Sequence, residues 1–191
     1  MWAYLANAVE FLVNTLFGLY IVAVLLRLLL GWVRADFYNP ISITLVKVTN
    51  PLLIPLRRLI PGYAGFDWSS AILLFLLQFL ELNLICILKG APHHLPGMFL
   101  WSLAELLALT VNVFLFSVII EALLSWINPG QNPLERIVSR LNYPILSPVR
   151  RRLPTLPGLD FSPLVVILVL QVFSLLLIAP LQDLGRAWTQ G

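Results

Sequence analysis

Apolar and polar positions divide this chain into long stretches with no polar face and shorter stretches with a strongly polar one. Residues 11–33 are apolar apart from Asn14, Thr15 and Arg27, and 23 residues rising about 1.5 Å each cross a hydrocarbon core of about 30 Å. Residues 69–88 and 162–181 are runs of 20 with the same character, each near the minimum for a crossing. A further span lies within residues 98–127, whose 30 positions exceed what one crossing needs. The pattern predicts four spanning helices.

Between spans the periodicity changes. Leu134, Ile137, Val138 and Leu141 follow the i, i+3, i+4, i+7 rule while Glu135, Arg136, Ser139 and Arg140 take the other face, as expected of a helix lying in the membrane interface. Upstream, Ile41, Leu45 and Val48 share a face with Lys47 directed elsewhere, a fainter form of the same pattern over residues 41–49. Prolines then crowd together at Pro51, Pro55 and Pro61, and again at Pro144, Pro148, Pro154 and Pro157. Each removes a backbone donor and fixes φ, so these stretches are expected to be series of short turns held at the interface, where their unpaired carbonyls reach water. Ser69 and Ser162, the latter followed by Pro163, read as N-caps of the next spans.

The two stretches are copies of one unit. Asn39, Pro40, Pro51, Pro55, Arg57, Arg58, Pro61, Gly65, Asp67, Ser69 and Gln78 recur as Asn132, Pro133, Pro144, Pro148, Arg150, Arg151, Pro154, Gly158, Asp160, Ser162 and Gln171, every pair 93 positions apart. Self-similarity at a fixed period marks one structural unit per copy. The expected organisation is a first repeat over 1–90, a linker rich in proline and glycine over 91–97 and a second repeat over 98–191. The expected fold is an all-α membrane protein of two parallel tandem repeats. Each is built as spanning helix, amphipathic interfacial helix, proline-rich basic turn and spanning helix. The tail after Asp183 reads as short and polar, with no targeting or lipidation signal.

Composition agrees with lipid as a solvent: of 191 residues, 60% are apolar and only 11% charged, with mean hydropathy +0.92. No Lys or Arg precedes the first apolar run, so the first span is expected to remain uncleaved. Nine of the twelve Lys and Arg residues lie in the two loops holding the prolines, against Lys89 and Arg186 on the other side. The positive-inside rule therefore predicts cytoplasmic motif loops and periplasmic termini, with Trp32 and Trp126 at the interface.

Chemistry-bearing groups are few. Cys86 stands alone, His93 and His94 have no third ligand nearby, and Glu10, Glu81, Glu105 and Glu121 fall on separate helices without acid/base spacing. No catalytic, cofactor or metal residue is assigned. Arg57, Arg58, Arg150, Arg151 and Arg152 are candidates for binding anionic lipid phosphates or acidic membrane partners, although topology and snorkelling alone account for basic residues at a membrane edge. Asp67 is expected to clamp Arg57 or Arg58, and Asp160 to clamp Arg150 or Arg151. Arg27 and Glu121, each five residues before a tryptophan, form a candidate intramembrane charge pair. Asn14, Gln78, Glu81, Asn83, Glu105, Asn112 and Gln171 are the side chains that would line a conducting path.

Asn-Pro, then prolines four apart with Arg-Arg, then Gly-x-Asp-aromatic-Ser and a spanning helix, found twice, resembles the YggT family, called YlmG in other lineages. The resemblance covers most of the chain and implies a bacterial inner membrane. It implies roles of the kind attributed to that family: help in cytochrome maturation and effects on nucleoid distribution for chloroplast relatives, cell division and osmotic tolerance for bacterial ones. The functional expectation is a non-enzymatic scaffold or assembly factor for membrane complexes. The alternative is a small oligomeric channel or transporter component. Expected partners are the bilayer, other membrane proteins or further copies of the chain, with no direct nucleic-acid contact.

Overall fold

A computed structural model describes residues 2–60, 62, 65–92, 94–127, 133–153 and 160–190. The described residues form α1 (Trp2–Trp32), α2 (Pro40–Leu59), α3 (Trp68–Lys89), α4 (Leu95–Ile127), α5 (Pro133–Arg150), α6 (Ser162–Phe173), a π-helical turn (Ser174–Ile178) and α7 (Ala179–Gln190). Four helical stretches are long and apolar enough to cross a membrane: α1, α3, α4 and the continuous run from α6 to α7. Two of them exceed the stretches expected from hydropathy by nine residues. α1 starts nine residues before residue 11, and the tail read as polar is the helix α7.

Helix ends follow from local chemistry. Asn39 caps α2 by accepting from the Ile41 amide at 3.0 Å, and Pro40 occupies the first turn, where its missing N–H costs nothing. At the C-terminus of α1, Arg34 N bonds Gly31 O at 3.1 Å and Ala35 N bonds Leu30 O at 2.9 Å, a Schellman closure with Arg34 at φ 52°. Gly90, at φ 61°, closes α3 in the same way. α4 begins at Leu95, within the stretch 91–97 expected as linker.

As far as they are described, the proline-rich stretches are helices and not turns, with Pro157 among the prolines outside the described residues. α2 runs through Pro51 and Pro55, and α5 through Pro144 and Pro148. A proline inside a helix costs about 3 kcal/mol when the carbonyl it abandons is stranded, but these prolines lie four apart and so share one stripe. Lys47, Pro51 and Pro55 are exposed, whereas Ser42, Thr49 and Leu53 on the opposite face are buried. The vacated carbonyls thus face outwards, and packing of the buried face keeps the helix continuous. Pro61, Asn132, Pro154 and Gly158 of the expected motif lie outside the described residues, as do His93 and the Trp126 side chain.

Ser69 and Ser162 are not caps either. Asp67 caps α3, accepting from the Ser70 amide at 3.2 Å and its hydroxyl at 2.7 Å, and Asp160 accepts from the Ser162 amide at 2.9 Å. A carboxylate at a helix N-terminus gains from the dipole as well as from the amide bond, which a serine does not. Ser69 instead donates to Ile60 O, fastening the end of α2 to the start of α3.

Each repeat packs its own three helices in the same manner. Val24, Leu53 and Leu73 meet in the main core, and their equivalents Val118, Leu146 and Val166 form a second cluster of their own. The main core also takes in Phe114 of α4 and Ile137 and Leu141 of α5, so it joins the repeats. At the far end of the bundle α4 and α7 touch backbone to backbone. A Cβ on Gly97 would stand 2.3 Å from Thr189 N, and one on Gly185 2.7 Å from Trp101 Cα. Small residues that let helices approach closely suit an interface in lipid, where burial alone drives little association. The outer surfaces of the spans are leucine-rich and exposed, including Leu12, Leu16, Leu76, Leu80, Leu164 and Leu168.

Candidate functional site

The motif residues converge at the end of the bundle where α2 and α5 lie. Asn39 Nδ2 donates to Pro133 O at 2.8 Å, tying the start of one interfacial helix to that of the other. Arg140 Nε donates to Val33 O at 3.1 Å, a second bond between the repeats. Arg57 pairs with Asp67, and its repeat equivalent Arg150 with Asp160 at 2.9 Å, so each basic helix end is clamped to the start of the following span. Burial pushes the Asp67 carboxyl up, but bonds from Ser70 and Arg57 outweigh it and hold the group below its ordinary value. Asp160 is likewise lowered, with burial opposed by Ser162 and Arg150. Arg58, Arg151 and Arg152 are exposed and have no ion-pair partner among the described residues.

Arg27 and Glu121 do not meet. Arg27 Nη1 donates to Thr49 Oγ1 at 2.6 Å, to Asn50 Oδ1 at 2.8 Å and to Val46 O at 3.4 Å, all on α2. Glu121 accepts from Asn142 Nδ2 at 2.8 Å and from Arg150 Nη2 at 3.4 Å, both on α5. Each charge is met by the interfacial helix of its own repeat, so neither has to reach across the apolar core. The sequence reading missed Thr49, Asn50 and Asn142. The legible signal was Asn142 beside Leu141 on an otherwise apolar face.

A second polar site lies inside the spans. Of the seven polar residues considered for conduction, Gln78, Glu81, Glu105 and Asn112 line one cleft of about 290 Å³ between α1, α3 and α4, with Gly18 and Ala108 among the small residues that leave it open. Gln78 Nε2 donates to Glu81 Oε2 at 2.9 Å, and Glu105 accepts from Trp101 Nε1 at 2.8 Å and Arg186 Nη2 at 3.5 Å. Asn83 folds back onto Phe79 O at 2.7 Å, while Asn14 and Gln171 are exposed on the outside of the spans. Cys86 is buried against Leu82 and Met98. No group of three or more His, Cys, Asp or Glu side chains able to hold a metal occurs among the described residues.

Four apolar spans in two equivalent halves, each locked by an arginine–aspartate clamp, define a two-repeat helical membrane protein. The profile of the CCB3/YggT family matches residues 6–88 and again residues 100–181, and the chain belongs to that family. It is 42% identical over 177 residues to an uncharacterized protein of Pseudomonas aeruginosa, covering 91% of this chain and 90% of that one. It is 36% identical over 186 residues to the uncharacterized protein YggT of Escherichia coli K12, covering 97% of each. A protein of Vibrio alginolyticus is 38% identical over 174 residues, covering 90% of this chain and 94% of the relative. No solved structure matches.

Proposed function

We propose that the chain is a non-enzymatic scaffold or assembly factor of a bacterial inner membrane, with α2 and α5 at the cytoplasmic surface and both termini in the periplasm. The observation that carries this reading is the division among the arginines. Arg57 and Arg150 are held in internal clamps, whereas Arg58, Arg151 and Arg152 stand exposed without a carboxylate partner among the described residues. Beside them Leu52, Ile54, Leu59 and Tyr143 are exposed apolar groups. Such a surface sits at the boundary of headgroups and acyl chains, each cation worth about 1 kcal/mol near an anionic leaflet. Held there, the two interfacial helices offer a rigid basic plate to an acidic membrane partner. The test is a photo-crosslinking residue in place of Arg58 and of Arg151 in native membranes. A discrete membrane-protein adduct at both positions is expected, and adducts to lipid alone would overturn the assembly role.

The polar cleft favours a second reading, a channel or transporter component. Flux of alkali cations through proteoliposomes above that of empty vesicles, lost in Glu81→Gln, would place that reading first.

A further inference from the structure

Inside a membrane an ionised side chain needs a countercharge or a full set of hydrogen bonds. Most acids of the spans have one. Glu10 pairs with Lys89 at 2.7 Å, Glu105 has Arg186 at 3.5 Å and the Trp101 indole at 2.8 Å, and Glu121 has Arg150 at 3.4 Å and Asn142 at 2.8 Å. Glu81 is the exception. It is only 8% exposed, has no cation in ion-pair range among the described residues, and receives one bond, from Gln78, on Oε2. Its other oxygen has no protein donor among the described residues, and the side chain lines the cleft.

The cleft itself is unlike a packing defect. Defects in apolar cores are lined by apolar groups and stay dry, whereas this one sets two carboxylates and two amides beside four apolar side chains and at about 290 Å³ has room for several waters of about 30 Å³. Nothing lies within 4 Å of where a Gly18 side chain would begin, so α1 leaves the space clear. Its polar lining offers oxygen ligands, with no sulfur or imidazole, and such a set selects hard cations. Charge then limits the valence. Glu105 pairs with Arg186, which also reaches the exposed Asp183 at 3.8 Å and lies over the Trp101 ring at 5.6 Å, and α1 brings only Gly18, Ile21 and Val22, so Glu81 is the one carboxylate lining the cleft without an ion pair among the described residues.

We propose that the cleft between α1, α3 and α4 is a binding site for one small monovalent metal cation, held by the Glu81 carboxylate and completed by the amide oxygens of Gln78 and Asn112 and by water. Protons compete for the same carboxylate. The site is independent of the scaffold reading, and it does not require conduction, since a bundle can hold an ion without passing it.

The experiment is equilibrium binding of radiolabelled sodium to the full chain in lipid nanodiscs, with choline replacing sodium to keep ionic strength constant. Saturable binding of one ion per chain is expected, displaced by excess lithium or potassium and weakened up to tenfold for each pH unit below the Glu81 titration. Glu81→Gln should reduce it to background at an unchanged melting temperature, and Asn112→Leu should weaken it at least threefold. Should Glu81→Gln fail to fold, Gly18→Leu, which fills the open space without touching an ionisable group, should abolish binding on its own. Absence of saturable binding of any of these ions, full binding in Glu81→Gln, or full binding in folded Gly18→Leu would overturn the proposal. A carboxyl band that titrates while no metal ion binds would overturn it as well. Binding without flux in proteoliposomes would remove the channel reading and leave the site standing.

Discussion

Thr49 and Asn142 occupy equivalent positions in the two repeats and hold charges of opposite sign. Thr49 Oγ1 accepts from Arg27 at 2.6 Å, and Asn142 Nδ2 donates to Glu121 at 2.8 Å. The same joint between first span and interfacial helix is thus built twice, with the polarity of its hydrogen bond reversed. A hydroxyl that passes its own proton to Leu45 O is a ready acceptor for the guanidinium, and an amide N–H is the matching donor for a carboxylate.

Removing either joint should destabilise its repeat. Thr49→Val is expected to cost about 1–2 kcal/mol, because Arg27 keeps Asn50, and Asn142→Leu about 2–3 kcal/mol, because Glu121 loses its nearest donor and Ser117 a partner. Unfolding titrations in detergent measure both. Losses no larger than those of an exposed control such as Ser139→Ala would contradict the assignment.

Because Arg27 and Glu121 are served separately, Arg27→Glu and Glu121→Arg should be additive when combined, within about 0.5 kcal/mol. Recovery of stability in the double variant would show that the two charges do meet.

The α4–α7 crossing tolerates no Cβ at Gly97, which faces Thr189 backbone, or at Gly185, which faces Trp101 backbone. Gly97→Ala and Gly185→Ala should each cost about 1–3 kcal/mol through overpacking, while Gly18→Ala, which meets nothing within 4 Å, should be nearly silent. A cysteine pair at His94 and Thr189, whose backbones are bonded at 3.3 Å, should cross-link in the parent chain and less so in the alanine variants.

Asp67 and Asp160 are both lowered in the folded chain, so they bind protons less readily there than when unfolded. Their clamps therefore add stability above the ordinary carboxyl value of 3.8 and lose it as pH falls through the lower folded values. Melting temperature followed from about pH 5 down to about pH 2 should drop, and Asp67→Asn combined with Asp160→Asn should flatten that part of the curve.

Arg57→Ala should destabilise the chain and leave retained anionic lipid nearly unchanged, whereas Arg58→Ala should do the reverse. Native mass spectrometry after mild detergent extraction reads the second effect and thermal melting the first.

How much of this was legible depends on the range of the interaction. The 93-residue period, the spans and a clamp of Asp67 and Asp160 by an arginine of the same repeat rest on local sequence or on exact recurrence and can be read off the chain, whereas the choice of Arg57 over Arg58 and of Arg150 over Arg151 comes from the structure. The helices through Pro51 and Pro144 could not, since whether a proline ends a helix depends on which way its abandoned carbonyl faces, and that is set by tertiary packing. The partners of Arg27 and Glu121 were misread for a related reason: equal depth and opposite sign say nothing of direction around the helix. Glu81 and Glu105 lie 24 positions apart on different helices, so no spacing rule could bring them to one cleft. The role of α7 was hidden because the tail after Asp183 reads as short and polar, and only the close passage of Trp101 at Gly185 shows that it packs against α4.

The π-helical turn at Ser174–Ile178 sets rotation more than length. An α-helix advances about 100° per residue, and a turn closed from i to i+5 holds one residue more than its α counterpart. Deleting one residue between Ser174 and Ile178 would let the run from Ser162 to Gln190 continue as plain α-helix. α7 would then keep its sequence but swing by about 100°, carrying Gly185 and Thr189 off α4 and towards lipid. The surplus residue works as a phase shift that lets a single helix serve neighbours in different directions: α5 and the second half of α4 with its first half, and the start of α4 with its second.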